Sequence, residues 1–262
     1  MHRIPIQSID DPRLDVFRNL KTSKATRRGN LFIAEGTTLV ERLLHSSYSV
    51  KAVLASEQKL RNFERRIPSG TTVYVLPRDM ATELVGYKFH LGVVAAAERK
   101  PNPDLKSLLE KPGLLLYGDR LIDPENVGAI IRIGAAFGAT GILFGNGSAD
   151  AFSRRVLRVS MGNGLFLPVF QDVNVDLPGK LKEAGYQLCA TVLDSDATQL
   201  DSFLFPSRTV LVIGNETHGV SEDVLRLCDH RLTILMDNGT DSLNAAVATG
   251  IFCHAYRQQQ AV

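Results

Sequence analysis

Apolar residues recur along this chain in two rhythms. Short runs at 31–36, 50–54, 72–76 and 92–97 alternate with stretches at helical spacing, of which 37–44 is the clearest. Four short strands interleaved with helices predict a small α/β domain over residues 1–100. Residues 98–105 carry two prolines and no apolar periodicity, so 101–112 is expected as a linker. Beyond it the apolar runs lengthen, at 113–117, 141–144, 167–170, 187–193, 210–214 and 232–236. Runs of this kind with helical patterns between them predict a mostly parallel sheet covered on both faces, in an α/β domain over 113–262.

Three strand–loop–helix junctions interrupt this second region. In the first, the strand ending near residue 118 turns at Asp123-Pro124, and a helix starts near Asn126. Ile130, Ile133, Gly134 and Phe137 form its expected buried stripe. Arg132 lies on a different side, beside the small residues Gly128 and Ala129. From pattern alone Arg132 reads equally as a solvated group or as one with room beside it for a substrate backbone. In the second junction, Val210 to Ile213 run into Gly214-Asn215-Glu216, Gly219 closes the turn, and Ser221, Glu222 and Asp223 open a helix. In the third, Leu232, Ile234 and Met236 lead into a polar loop, and Ser242 is placed to cap a final helix. Leu243, Ala246, Val247, Gly250, Ile251 and His254 form that helix's expected buried face. Such junctions are where open α/β sheets bind ligands, beyond the carboxyl ends of their strands.

Charge matters through its distribution, since the net value is only +2. Between positions 13 and 28 six basic residues (Arg13, Arg18, Lys21, Lys24, Arg27, Arg28) face one acidic residue, Asp15. This is either a solvated face or a phosphate-tracking patch whose binding weakens with salt. No apolar run approaches the roughly 18 residues of a membrane span, and the first residues lack the apolar core of a signal peptide. Cys189, Cys228 and Cys253 are widely spaced and fit neither a disulfide framework nor a zinc motif. They are expected as packed thiols in a reducing cytoplasm, with no metal bound. The segment 145–150 lacks the third glycine of a dinucleotide-binding turn, which sets aside a nicotinamide-dependent oxidoreductase.

Three separated stretches then agree. Asp123-Pro124-Glu125-Asn126-Val127-Gly128 with Arg132, Gly214-Asn215-Glu216 with Gly219, and Ser242-Leu243-Asn244 with Ala248 resemble the signature motifs of the SpoU/TrmH family of RNA ribose 2′-O-methyltransferases. Ser153-Arg154-Arg155, Arg158 through Gly162, and Leu167-Pro168-Val169 support the likeness, which covers roughly 113–257. Residues 32–36 and 90–93 resemble, more loosely, the ribosomal-protein-like RNA-binding domain that many members carry in front. Two positions depart from the family pattern: Leu235 stands where proline is common, and Asn163-Gly164 where a small apolar residue is more usual.

The resemblance implies a deep trefoil knot in the C-terminal domain, a homodimer, and S-adenosylmethionine as methyl donor. It implies catalytic roles for Arg132, Asn126, Glu216, Ser242 and Asn244, with Glu216 pairing to Arg132 or Asn126. Leu193, Gly214, Asn215, Gly219, Ile234, Met236, Ser242 and Leu243 are expected to hold the cofactor. Arginine has a pKa above about 12, so Arg132 is expected to act as a fixed positive charge that steadies the developing alkoxide. Arg18, Lys21, Lys24, Arg27, Arg28, Arg154, Arg155 and Arg158 are the expected RNA contacts, with ribosomal RNA favoured over transfer RNA. A non-catalytic RNA-binding protein keeping the same fold is the alternative.

Overall fold

Strands form nearly where the apolar runs place them. The computed structural model describes residues 1–20, 30–174, 176–237 and 242–260. Lys21, Lys24, Arg27 and Arg28 therefore lie outside the described residues. In chain order the first elements are β1 (His2–Pro5), β2 (Leu31–Glu35), α1 (Thr37–Leu44), β3 (Val50–Ser56), α2 (Glu57–Arg61), β4 (Thr72–Leu76), α3 (Arg78–Val85) and β5 (Val93–Glu98). There follow α4 (Leu105–Leu109), β6 (Gly113–Gly118), α5 (Pro124–Phe137), β7 (Gly141–Gly145), α6 (Arg154–Val159), β8 (Val169–Val173) and α7 (Leu177–Glu183). The last are β9 (Gln187–Thr191), β10 (Thr198–Gln199), β11 (Arg208–Ile213), α8 (Glu222–Leu225), β12 (His230–Thr233) and α9 (Ala245–Gln259).

Two units result. Met1–Pro101 with Phe152–Phe166 form one, and Asn102–Ala151 with Leu167–Val262 the other. In the first, five strands pair in the order β1-β4-β3-β5-β2, with β1, β4 and β3 parallel and β5 antiparallel to both its neighbours. Strand alternation sends Val53 and Ala55 into the core on one face and Ala52 and Leu54 into the core on the other. Local pattern alone does not reveal that Leu157 and Leu165, from Phe152–Phe166, complete the first of these cores. Gly162 marks that packing. Its φ of +74° is left-handed, and a β-carbon there would sit 2.6 Å from Leu39 Cδ1.

The second unit holds a seven-stranded sheet, β10-β12-β9-β11-β6-β7-β8, in which every neighbouring pair is parallel. Its central strands bury both faces, as parallel sheets must. Residues 101–112, expected as linker, carry α4, whose Leu108 is buried in this unit's core. No helix among the described residues is long and apolar enough to cross a membrane.

Three expectations about the helices need correction. The buried face of α9 is Ala246, Thr249, Phe252, Cys253 and Tyr256; Val247 and Ile251 are 53% and 38% exposed, and His254 is exposed too. The helix is apolar around most of its circumference, and the buried face is the one carrying the two large aromatic rings. Its N-cap is Asn244, not Ser242: the Asn244 Oδ1 accepts from the backbone N–H groups of Ala246 and Val247, at 2.9 and 3.2 Å. On α5 the fully buried residues are Asn126, Val127, Gly128, Ile130, Ile131 and Gly134, whereas Ile133 and Phe137 are half-buried. Asp123 caps α5 through the Glu125 N–H, and Pro124 takes the first helical position, where its missing N–H costs nothing.

Candidate functional site

The second unit gathers its candidate residues at the carboxyl ends of β9, β11 and β12. After Ile213 the chain folds into a tight hairpin in which Asn215 and Gly219 exchange both backbone hydrogen bonds at 2.9 Å. The Asn215 Oδ1 accepts from the N–H groups of Thr217 and His218, while its Nδ2 donates to the Arg120 carbonyl at 2.8 Å. Gly214 is required beneath this hairpin, because a β-carbon would lie 2.2 Å from the Gly219 carbonyl carbon and the Val220 nitrogen. Asp119, buried at the end of β6, accepts from the Ser221 N–H at 2.7 Å and ties the hairpin's far side down.

A cavity of about 280 Å³ opens beside the hairpin. Leu193, Gly214, Asn215, Gly219, Ile234, Met236, Ser242 and Leu243 all line it, as do Glu216 and Asn244. The size sits just under the range usual for small-molecule sites. Ile213 and Ala248 of the third motif also line it, and Thr191, Val192, Ala245 and Phe252, not singled out from the sequence, complete the wall. Ala245 and Phe252 lie three residues before and four residues after Ala248 on α9, a spacing that would have found them.

One chain of hydrogen bonds connects the three junctions. Asn126 Nδ2 donates to Glu216 Oε1 at 2.9 Å, and Asn244 Nδ2 donates to Asn126 Oδ1 at 2.8 Å. Asn126 is buried, so both ends of its amide are committed and its orientation is fixed. Glu216 thus pairs with Asn126. Arg132 is exposed, and among the described residues no hydrogen bond or ion pair holds its guanidinium. Ser242 is exposed on the cavity rim. Burial pushes the thiols of Cys189, Cys228 and Cys253 up to about 12, so all three stay protonated near neutrality.

A family model described as the SpoU rRNA Methylase family matches residues 113–254, which include all three junctions. The chain belongs to the SpoU rRNA Methylase family. It is 33% identical to an uncharacterised tRNA/rRNA methyltransferase of Mycobacterium tuberculosis, over 92% of this chain and 87% of that one. It is 30% identical to the 23S rRNA (guanosine(2553)-2′-O)-methyltransferase RlmP of Bacillus subtilis, covering 96% and 98%. Among solved structures it resembles the AdoMet-bound rRNA methyltransferase from Sinorhizobium meliloti, with a TM-score of 0.82, 25% identity and 98% of each chain covered.

The basic residues of this SpoU chain divide by environment. Arg18 donates to the Ile9 carbonyl and pairs with Asp15. Arg154 is half-buried: it donates to the Leu20 carbonyl, lies 3.7 Å from the buried Glu35, and stacks over Tyr87. Arg155 and Arg158 are exposed. All four belong to the first unit.

Proposed function

We propose that this SpoU-family chain transfers a methyl group from S-adenosylmethionine to a ribose 2′-hydroxyl of structured ribosomal RNA. The Glu216–Asn126–Asn244 chain of hydrogen bonds, set at the rim of the cavity, is the observation that carries this reading. Main-chain groups at Leu193, Ile234 and Met236, the apolar walls of Ile213 and Phe252, and the backbone cradle under Gly214 fit an adenosine-bearing ligand. When bound, S-adenosylmethionine supplies an activated methyl on a sulfonium leaving group. The protein's task is then alignment and charge stabilisation. Asn126 and Asn244, each held at both ends of its amide, fix the loop that meets the ribose. Glu216 orders the hairpin. Arg132, free of intramolecular partners among the described residues, is the group available to a phosphate and to the developing alkoxide.

Ribosomal RNA is favoured over transfer RNA because the two relatives above whose names specify rRNA align with this chain along nearly their whole length, first unit included. By the same reading the first unit is a ribosomal-protein-like RNA-binding domain, and the second carries the family's trefoil knot. The exposed Val247–Ile251 stripe of α9 would be covered in a homodimer. Three packed thiols suit a cytoplasmic enzyme that needs no metal.

The test is transfer of radiolabelled methyl to unmodified ribosomal and transfer RNA, followed by nuclease mapping. Label resistant to alkali at one ribosomal nucleotide is expected. Label confined to transfer RNA would overturn the substrate, and absence of cofactor binding would return the chain to a non-catalytic RNA-binding protein.

A further inference from the structure

Asn163, one of the two departures from the family pattern, has a defined partner in the first unit. Its Oδ1 accepts a 2.7 Å hydrogen bond from Arg42 Nη2 on α1, and its Nδ2 donates to the Ser160 carbonyl at 2.9 Å. A small apolar residue at this position would make neither bond. The effect is to hold the Arg42 guanidinium with its carbon 5.3 Å from the centre of the Phe166 ring. Glu41, next to it on α1, pairs with Arg66.

Phe166 is not a core residue. It is 54% exposed, Leu165 beside it is buried, and Met161 in the same short segment is 42% exposed. In this segment Met161 and Gly162 both take left-handed φ values, of 52° and 74°. A left-handed Met is strained and persists only where surrounding contacts enforce it. Arg158, exposed in α6 just upstream, has no hydrogen-bond or ion-pair partner among the described residues. An exposed aromatic ring braced by an oriented guanidinium, with further unneutralised positive charge in the same segment, matches the chemistry of an unpaired nucleotide. The base stacks on the ring and the cations meet its phosphate.

We infer that Phe166, braced by Arg42 through Asn163, is a stacking platform for one unpaired base of the RNA. This rests on the RNA-methyltransferase reading above and adds to it a contact made by the first unit. Stacking tolerates any base but favours purines, and it depends less on salt than phosphate contacts do.

The chain contains no tryptophan, so Phe166→Trp introduces a single fluorescent reporter at the platform. Oligoriboadenylate and oligoribouridylate of about twelve nucleotides are the probes, a length within the site sizes of single-strand binders. The tryptophan emission is expected to be quenched by both, more strongly by oligoriboadenylate. Phe166→Ala should weaken oligoriboadenylate binding roughly tenfold, and Asn163→Ala by a smaller factor with Phe166 intact. Circular dichroism should match the parent in both variants. Emission unmoved at saturating oligonucleotide, or unchanged affinity in Phe166→Ala, would overturn the inference. So would emission that follows protein concentration instead of oligonucleotide, since the ring would then be covered by another protein surface. Methyl transfer by the parent chain, measured in parallel, separates the two readings. Quenching without transfer removes the enzyme reading alone, and transfer without quenching removes the platform alone.

Discussion

Asn126→Asp is the sharpest perturbation of the site because it changes polarity with almost no change of shape. Asn126 Nδ2 donates to Glu216 Oε1 at 2.9 Å, and the substitution puts a carboxylate oxygen in the donor's place. A hydrogen bond to a charged acceptor contributes about 1.5–3 kcal/mol. Two unit charges at the observed separation would repel by about 6 kcal/mol at an effective dielectric constant of about 20. Glu216 is exposed, so water screens most of that repulsion. The net cost expected at pH 8 is therefore about 2 kcal/mol, mostly the lost hydrogen bond. Its pH dependence has a definite sign. A carboxyl whose folded pKa is raised contributes fully below its unfolded pKa, near 4, and the contribution is lost as pH rises through the folded pKa. Stability should consequently recover between pH 8 and pH 5 in the variant relative to the parent. Urea unfolding followed by far-ultraviolet circular dichroism measures this directly, with methyl transfer recorded on the same samples. An unfolding midpoint equal to the parent's at pH 8 and a flat difference down to pH 5 would refute the assignment of the Asn126 amide as a working donor.

Other consequences are independent of that one. Gly214→Ala should weaken S-adenosylmethionine binding by about tenfold or more in titration calorimetry, since the backbone contact cannot be relieved without opening the hairpin. Gly179→Ala, where nothing lies within 4 Å of the new carbon, is the control and should bind normally with slightly higher stability. Arg132→Lys should retain part of the methyl-transfer rate at saturating RNA and Arg132→Ala almost none, with cofactor affinity unchanged in both. Near-normal turnover in the alanine variant would remove Arg132 from the mechanism. The buried thiols Cys189 and Cys253, held near 12, should make stability fall as pH rises above about 9, where the unfolded chain begins to ionise them. The loss at pH 10 is about 1.5–2 kcal/mol for each, and it should shrink on replacing either by alanine or serine in variants that still fold.

Much of this architecture can be read locally. Helix α1 and strand β4 form over the residues their periodicity predicts, because each alternation has one solution on a single face. Strand β1 escapes notice because three of its four residues are exposed, so burial imposes no alternation on it. The misassigned face of α9 has the opposite cause, an excess of apolar residues that offers two stripes where the fold uses one. Ser242 and Asn244 are both good caps two positions apart, and the choice between them depends on Asn126, more than a hundred residues away in sequence. The same distance explains why Glu216 had two candidate partners from sequence and one in the structure. Packing of Phe152–Phe166 with the first unit is likewise a long-range outcome, of which Gly162 is a local trace.

Asn244 has one amide and two duties: its oxygen starts the final helix, and its nitrogen closes the bond to Asn126. Opening of the first turn of α9 and disassembly of the site are therefore the same event. The backbone N–H groups of Ala246 and Val247 become built-in gauges of it, readable by hydrogen exchange. A ligand that steadies the site must slow exchange at those two amides even though it touches neither, and fraying of the helix must lower the ligand's affinity by the same free energy.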